Sequence, residues 1–237
     1  MGFKLCVINP NSDVEVTEYL RETALGVLPA GSKVEAVTCT TSPIVIETST
    51  DDVLASVAVL QAALARKSAD AFFVGCFGAP AIAALRETTR APVVGLGEAA
   101  VVQAQTVTSR FGVLTTLERG VQPLWSQLES MGVARSCLGI RAVHPPDGDG
   151  CAGPDAVAQR LAEQGRALVA GGADGIVLAC AAFSPMSREL AATLDVPVCD
   201  GVIVGASIAH GLWASGAWTS KSGAYAWSDA AWAKPKS

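Results

Sequence analysis

Two cysteines, Cys76 and Cys180, are the residues from which a chemistry can be argued. Each closes a short apolar run: Ala69-Asp70-Ala71-Phe72-Phe73-Val74-Gly75-Cys76 has the pattern and length of Ala173-Asp174-Gly175-Ile176-Val177-Leu178-Ala179-Cys180. Inverting a carbon stereocentre by proton transfer needs a base on one face and an acid on the other, and two equivalent groups let the reaction run both ways. Thiols suit this work. A free thiol titrates at about 8.5 and a helix N-terminus lowers that value, so one of a pair can be thiolate while its mate is protonated. Two close thiolates repel, which favours one shared proton and joint titration. Taken singly, either cysteine reads equally as a small core filler, since free cysteine is among the most buried residue types. The duplication at two strand ends is what favours the acid/base pair. The other five cysteines, at 6, 39, 137, 151 and 199, lie in strands, just after them, or in or near loops. They form no CxxC or metal-ligand spacing, so neither disulfides nor zinc are expected and none is given a role.

The elements that must position the pair follow from hydrophobic patterning. Aliphatic and β-branched runs at 3–8, 33–38, 71–75, 93–95, 111–114, 138–143, 175–179 and 197–199 alternate with helical stretches near 12–27, 50–66, 79–89, 98–107, 117–131, 154–170, 184–193 and 201–214. This alternation predicts βαβ units, parallel sheets and an α/β fold. The echo around the cysteines extends further. Pro80 matches Pro185, Ala91-Pro92-Val93-Val94-Gly95 matches Val196-Pro197-Val198-Cys199-Asp200, and Lys4-Leu5-Cys6-Val7-Ile8-Asn9 matches Arg110-Phe111-Gly112-Val113-Leu114-Thr115. All fall at an offset of roughly 105 residues, the mark of an internal repeat. Two similar halves are expected, roughly 1–105 plus the C-terminal segment and 106–205. Ligands of parallel sheets bind beyond the carboxyl ends of the strands, so two such halves facing one another would set Cys76 and Cys180 on opposite walls of one cleft. The Gly/Pro-rich stretch 144–153 is a candidate flap.

Other candidates flank the same strand ends. Asn9-Pro10-Asn11-Ser12 lies between the first strand and first helix, where amides and free N–H groups can hold a carbonyl or an anion, or simply form a turn and cap the helix. Thr115-Thr116 occupies the corresponding place, with Thr116 alternatively an N-cap. The small neighbours of Cys76 and Cys180 leave backbone N–H groups open to stabilise an enolate oxygen, and Phe77 and Phe183 either shape an apolar pocket or pack in the core. His144 and His210, the only histidines, read as structural.

Composition excludes several classes. Half of the 237 residues are hydrophobic and 16% charged, with a net charge of −5 and aromatics at 5%. That is a well-buried globular chain without the basic field or stacking surface of a nucleic-acid binder. No signal-peptide pattern opens the sequence, no apolar run reaches membrane-helix length, and Cys6 stands where a myristoylation signal wants Ser or Thr. A soluble cytoplasmic protein is expected, with no membrane association. No GxGxxG or P-loop appears at a strand-to-helix turn, so no nucleotide, and no cofactor of any kind, is implied.

These residues resemble the aspartate/glutamate/hydantoin racemase superfamily, most closely its hydantoin and allantoin racemases. The resemblance rests on Ile8-Asn9-Pro10-Asn11-Ser12, Ser42-Pro43-Ile44-Val45-Ile46-Glu47, Gly75-Cys76-Phe77, Phe111-Gly112-Val113-Leu114-Thr115-Thr116, Leu178-Ala179-Cys180 and Cys199-Asp200-Gly201-Val202, which span nearly the whole chain. It implies two pseudo-symmetric α/β subdomains with the active site in the cleft between them, cofactor-free racemisation of a small molecule by Cys76 and Cys180, and a homo-oligomer. It also implies a substrate site lined by Asn9, Ile46, Phe77, Thr115, Thr116 and Ala181. The turns after both cysteines lack the polar Asn-Thr and Thr-His pairs of the amino-acid racemases, which favours a five-membered ureide ring. They depart from the usual hydantoin racemase turns at Gly78-Ala79-Pro80 and Ala181-Ala182-Phe183. The rival readings are other activities of the superfamily, namely an amino-acid racemase, a one-cysteine decarboxylase or a maleate isomerase-like enzyme, and a non-catalytic small-molecule binding protein.

Overall fold

The computed structural model describes residues 2–143 and 153–227. His144, Cys151 and all of the candidate flap except Gly153 lie outside the described residues. The chain divides into two compact units: Met1–Leu96 together with the chain from Val202 onward, and Gly97–Gly201.

The first unit is built on a parallel sheet of β1 (Lys4–Asn9), β2 (Lys33–Thr38), β3 (Ala71–Val74) and β4 (Val93–Gly95) in the order β2-β1-β3-β4. β1 and β3 are buried on both faces, which explains their unbroken apolar runs. Helix α1 (Val14–Val27) starts at Asp13, whose carboxylate accepts the N–H groups of Glu15 and Val16, and it buries Thr17, Leu20 and Ala24 along one stripe. Helix α2 (Ser49–Leu64) opens with a capping box between Thr48 and Asp51 and lays Ala55, Ala58, Val59 and Ala63 inward. The core there joins Cys6, Ile8, Val59, Phe72, Val74 and Leu85.

Helix α3 (Ile82–Thr88) begins later than the sequence predicts, because Ala79 and Ala81 take left-handed backbone angles, φ 50° and 63°, which interrupt the helix. Helix α8 (Gly201–Ala214) returns to this unit and packs so tightly that a Cβ on Gly205 would lie 2.2 Å from a ring carbon of Phe73. Beyond it the chain is tied to the β4 side: Thr219 donates from its N–H to Arg90 O at 2.8 Å and from its hydroxyl to Ala91 O at 2.8 Å.

The second unit repeats the plan with β5 (Phe111–Thr115), β6 (Cys137–Ala142), β7 (Gly175–Leu178) and β8 (Val198–Cys199), all parallel, in the order β6-β5-β7-β8. Its helices are α4 (Leu96–Val107), α5 (Val121–Ser130), α6 (Pro154–Ala170) and α7 (Ser187–Leu194). The stretch read as one helix over 117–131 is a 3-10 turn, Glu118–Gly120, followed by α5; the stretch 184–193 is a 3-10 turn, Ala181–Met186, followed by α7. Pro185 inside the second turn cannot donate a backbone hydrogen bond there. The core joins Leu114, Leu161, Ile176, Leu178, Phe183 and Leu190.

The repeat holds at the level of single hydrogen bonds. Asp70 N–H donates to Lys4 O at 2.9 Å and Asp174 N–H to Arg110 O at 2.8 Å, while Phe72 N–H meets Pro92 O and Ile176 N–H meets Pro197 O, each at 2.9 Å. The two carboxylates reciprocate: Asp70 accepts Lys4 N–H at 2.8 Å, and Asp174 accepts Arg110 N–H at 2.8 Å.

Candidate active site

The strand order places a topological switch point in each sheet. From β1 the chain crosses to β2 on one side and then to β3 on the other, so the loops leaving β1 and β3 diverge and open a crevice at their carboxyl ends. β5 and β7 do the same in the second unit. In the first unit that edge carries Asn9 and Cys76. Ile8 pairs with Val74, and Gly75 N–H donates to Ile8 O at 2.9 Å, which sets the residue after Ile8 beside the start of the cysteine turn. In the second unit it carries Thr115 and Cys180: Leu114 pairs with Leu178 and Ala179 N–H donates to Leu114 O at 2.8 Å. Even the flanking strand is equivalent, with Cys39 N–H on Asn9 O at 3.1 Å and Val143 N–H on Thr115 O at 2.8 Å. Both cysteines are half-buried, neither sealed in a core nor fully exposed.

The model of the Asp/Glu/Hydantoin racemase family matches residues 5–209. The chain belongs to this family. It is 35% identical over 225 residues to a hydantoin racemase from Rhizobium meliloti, an alignment that covers 93% of each protein. Two solved structures resemble it closely. An allantoin racemase from Klebsiella pneumoniae has a TM-score of 0.88 at 32% identity, covering 96% of this chain and 94% of that one. An allantoin racemase from Pseudomonas fluorescens has a TM-score of 0.89 at 27% identity, covering 99% of both chains. Membership makes the protein an isomerase of the racemase type with the two-sheet α/β fold of its neighbours.

Within this racemase the candidate residues divide by unit. Asn9, Cys76 and Phe77 meet at the first sheet's edge; Ile46 sits half-buried in the loop after β2, which Ser12 N–H ties to the β1 turn through Pro43 O at 3.2 Å. Asn9 is 1% exposed and its amide serves the turn. Its Nδ2 faces Asn11 Oδ1 at 2.7 Å, Asp13 O at 2.8 Å and Thr17 Oγ1 at 3.0 Å, while its Oδ1 accepts Asn11 N–H at 3.2 Å. Asn11 and Asp13 therefore hold the turn, and the helix cap expected of Asn11 or Ser12 belongs to Asp13. In the second unit Thr115, Thr116, Cys180 and Ala181 gather at the sheet edge. Thr116 is not an N-cap: the residue in that place is Leu117, which has no side-chain cap bond.

The electrostatics of the thiols separates core from edge. Burial pushes Cys6 and Cys199 up to about 12, and Cys39 and Cys137 up to about 11, which leaves all four as unreactive thiols. Cys180 is also raised by burial, but the backbone N–H groups of Ala182 and Phe183 pull the other way. No formed cap bond joins them to the thiol; these N–H groups are placed to favour the thiolate.

Sequence reasoning gave no role to Ser184, Gln103 or Asp200. Ser184 lies in the turn after Cys180 and donates to the buried carboxylate of Asp200, whose own N–H meets Gln103 Oε1 at 3.0 Å. Only Asp200 carried a signal, in the Cys-Asp-Gly-Val motif. A hollow of about 380 Å³ on the outer β6 side, lined by Glu118, Arg141 and Gln164 among others, contains none of the candidate residues. Among the described residues no group of three or more His, Cys, Asp or Glu is arranged to hold a metal, and no helix is long and apolar enough to cross a membrane.

Proposed function

We propose that the protein racemises 5-substituted hydantoins or the related ureide allantoin, with Cys76 and Cys180 as the acid/base pair. The observation that carries the reading is the duplicated strand end. Each sheet sets one half-buried cysteine at its switch point, next to a polar residue from the neighbouring central strand. The kinship with hydantoin and allantoin racemases supports a cyclic ureide as the substrate.

The chemistry is one proton off and one proton on. The ring carbon bears an acidic hydrogen because the adjacent carbonyl accepts the electron pair as an enolate. A thiolate takes this hydrogen, breaking C–H and forming S–H; the enolate then takes a proton from the other thiol on the opposite face, leaving that sulfur as the thiolate. The reverse direction exchanges the roles, and the transfer needs no cofactor. Asn9, Ile46 and Phe77 from one unit and Thr115, Thr116 and Ala181 from the other would line the substrate. Asn9 would contribute the second lone pair of its Oδ1, since its NH2 and the other lone pair are engaged within the turn. In this reading the protein works as a homo-oligomer in the cytoplasm.

The test is a polarimetric screen of enantiopure 5-substituted hydantoins and both allantoin enantiomers in deuterated water. The expected result is decay of optical rotation to zero with deuterium gained at the stereocentre. Rotation that persists for every ureide, or decays without deuterium uptake, overturns the reading.

A further inference from the structure

We propose that Asp200 is a positioning residue for Cys180, acting through Ser184 on the 3-10 turn that directly follows the cysteine; this rests on the assignment of Cys180 to proton transfer. Asp200 is 4% exposed and Ser184 3% exposed. Burying a carboxylate is costly unless hydrogen bonds compensate it, and no step of the proposed chemistry uses this one. Its place explains it. Asp200 sits between the end of β8 and the start of α8, fixed by its own N–H on Gln103 Oε1 at 3.0 Å. From there one carboxylate oxygen accepts the Ser184 hydroxyl, a buried bond across 16 residues of sequence.

Ser184 is the fourth residue of the 3-10 turn Ala181–Met186 that starts directly after Cys180. The turn is short and contains Pro185, so its own backbone bonds are few. The contacts holding it next to Cys180 include Phe183 N–H on Cys180 O at 3.2 Å and the Ser184–Asp200 bond, which anchors it to the neighbouring strand β8. Ala182 and Phe183 are the residues of the turn that these two ties hold next to Cys180.

Burial raises Cys180, and the backbone N–H groups of Ala182 and Phe183 pull it the other way. Positioning and direct charge effects predict opposite signs. If Asp200 acted as a nearby negative charge, Asp200→Asn would make the Cys180 thiolate easier to form. If Asp200 acts by holding the turn, the same substitution loosens the N–H donors and makes the thiolate harder to form.

The experiment measures the pH dependence of iodoacetamide alkylation at Cys180 by peptide mass mapping, in the wild type, Ser184→Ala and Asp200→Asn, with Cys76 in the same samples as the internal reference. Ser184→Ala removes one hydroxyl at nearly constant volume, so it remains informative if Asp200→Asn does not fold; melting curves and circular dichroism establish which variants are native. The expected result is an upward shift of the Cys180 midpoint by about half a pH unit or more, equivalent to roughly threefold slower alkylation below the midpoint, and larger than any change at Cys76. An unmoved or lowered Cys180 midpoint in the folded variants overturns the proposal and leaves the network a purely structural one. Racemisation is followed in parallel. A shifted midpoint with unchanged racemisation supports the positioning role and sinks the two-cysteine reading instead.

Discussion

Leu20 of α1 packs onto Gly75, the residue directly before Cys76, so closely that a Cβ on that glycine would lie 2.5 Å from Leu20 Cδ1. Leu20 is fully buried and cannot swing away into solvent. Gly75→Ala is expected to cost about 1–3 kcal/mol through overpacking and to displace the cysteine turn. Melting and kcat should fall together. A variant as stable and active as the wild type would show that α1 yields without strain.

Cys76→Ser and Cys180→Ser are each expected to lower racemisation by about 10²–10⁴-fold with the fold retained, the scale of losing one general acid or base. In deuterated water each mutant should still exchange the hydrogen of one enantiomer without inverting it, and the two mutants should prefer opposite enantiomers. NMR of enantiopure substrate reads this directly; the same preference in both would point to a single base.

Burial raises Cys180 above the ordinary thiol value, so its thiolate fraction should still be growing as pH rises from 7 to 9, and iodoacetamide alkylation of Cys180 should climb with it. Alkylation that is flat above pH 7 would contradict a raised Cys180.

Asp174 accepts Ser109 Oγ and the N–H groups of Ser109 and Arg110, and these bonds hold its carboxyl down to about 2. A lowered folded-state value means that the stabilisation is present above the unfolded carboxyl value of about 3.9 and is lost as pH falls through the folded one. The melting-temperature gap between the wild type and Asp174→Asn should thus be widest near pH 6 and narrow between about pH 4 and pH 2. A constant gap would show that the charge is not what the bonds recognise.

Ala81 stands at φ 63° between Cys76 and α3, a conformation that costs an L-residue about 1–2 kcal/mol relative to glycine. Ala81→Gly should accordingly raise stability or leave it unchanged, despite glycine's greater freedom when unfolded. A drop of more than about 1 kcal/mol in denaturant titration would mean the backbone there is relaxed.

What the sequence shows and what it hides follow one physical division. β2 at 33–38, α6 at 154–170 and α8 at 201–214 appear where patterning puts them, because burial against a sheet or core writes a period into their residues. α3 and the turn after Cys180 do not. Ala79 and Ala81 are helix formers by propensity, and nothing in an alanine announces a left-handed angle; Pro185 leaves its place inside a 3-10 turn rather than before a helix unmarked. The strand-end places of Cys76 and Cys180 are legible through the internal repeat. Gln103 is not, since a single hydrogen bond to a backbone N–H 97 residues away leaves no local pattern.

The first unit is sewn from two stretches of chain, with the whole second unit spliced between them. Phe73 receives Gly205 of α8, and Phe3 stacks edge-on with His210 at 5.1 Å. A ribosome emits the amino-terminal sheet first and α8 more than a hundred residues afterwards, an interval of about 5–20 s at ordinary elongation speed. Over that interval the second unit, uninterrupted in sequence, can close while the flank of the first sheet that carries Phe3 and Phe73 waits bare. Docking of α8, and of the segment after it that Thr219 ties to Arg90 and Ala91, is thereby scheduled after the second unit has been made.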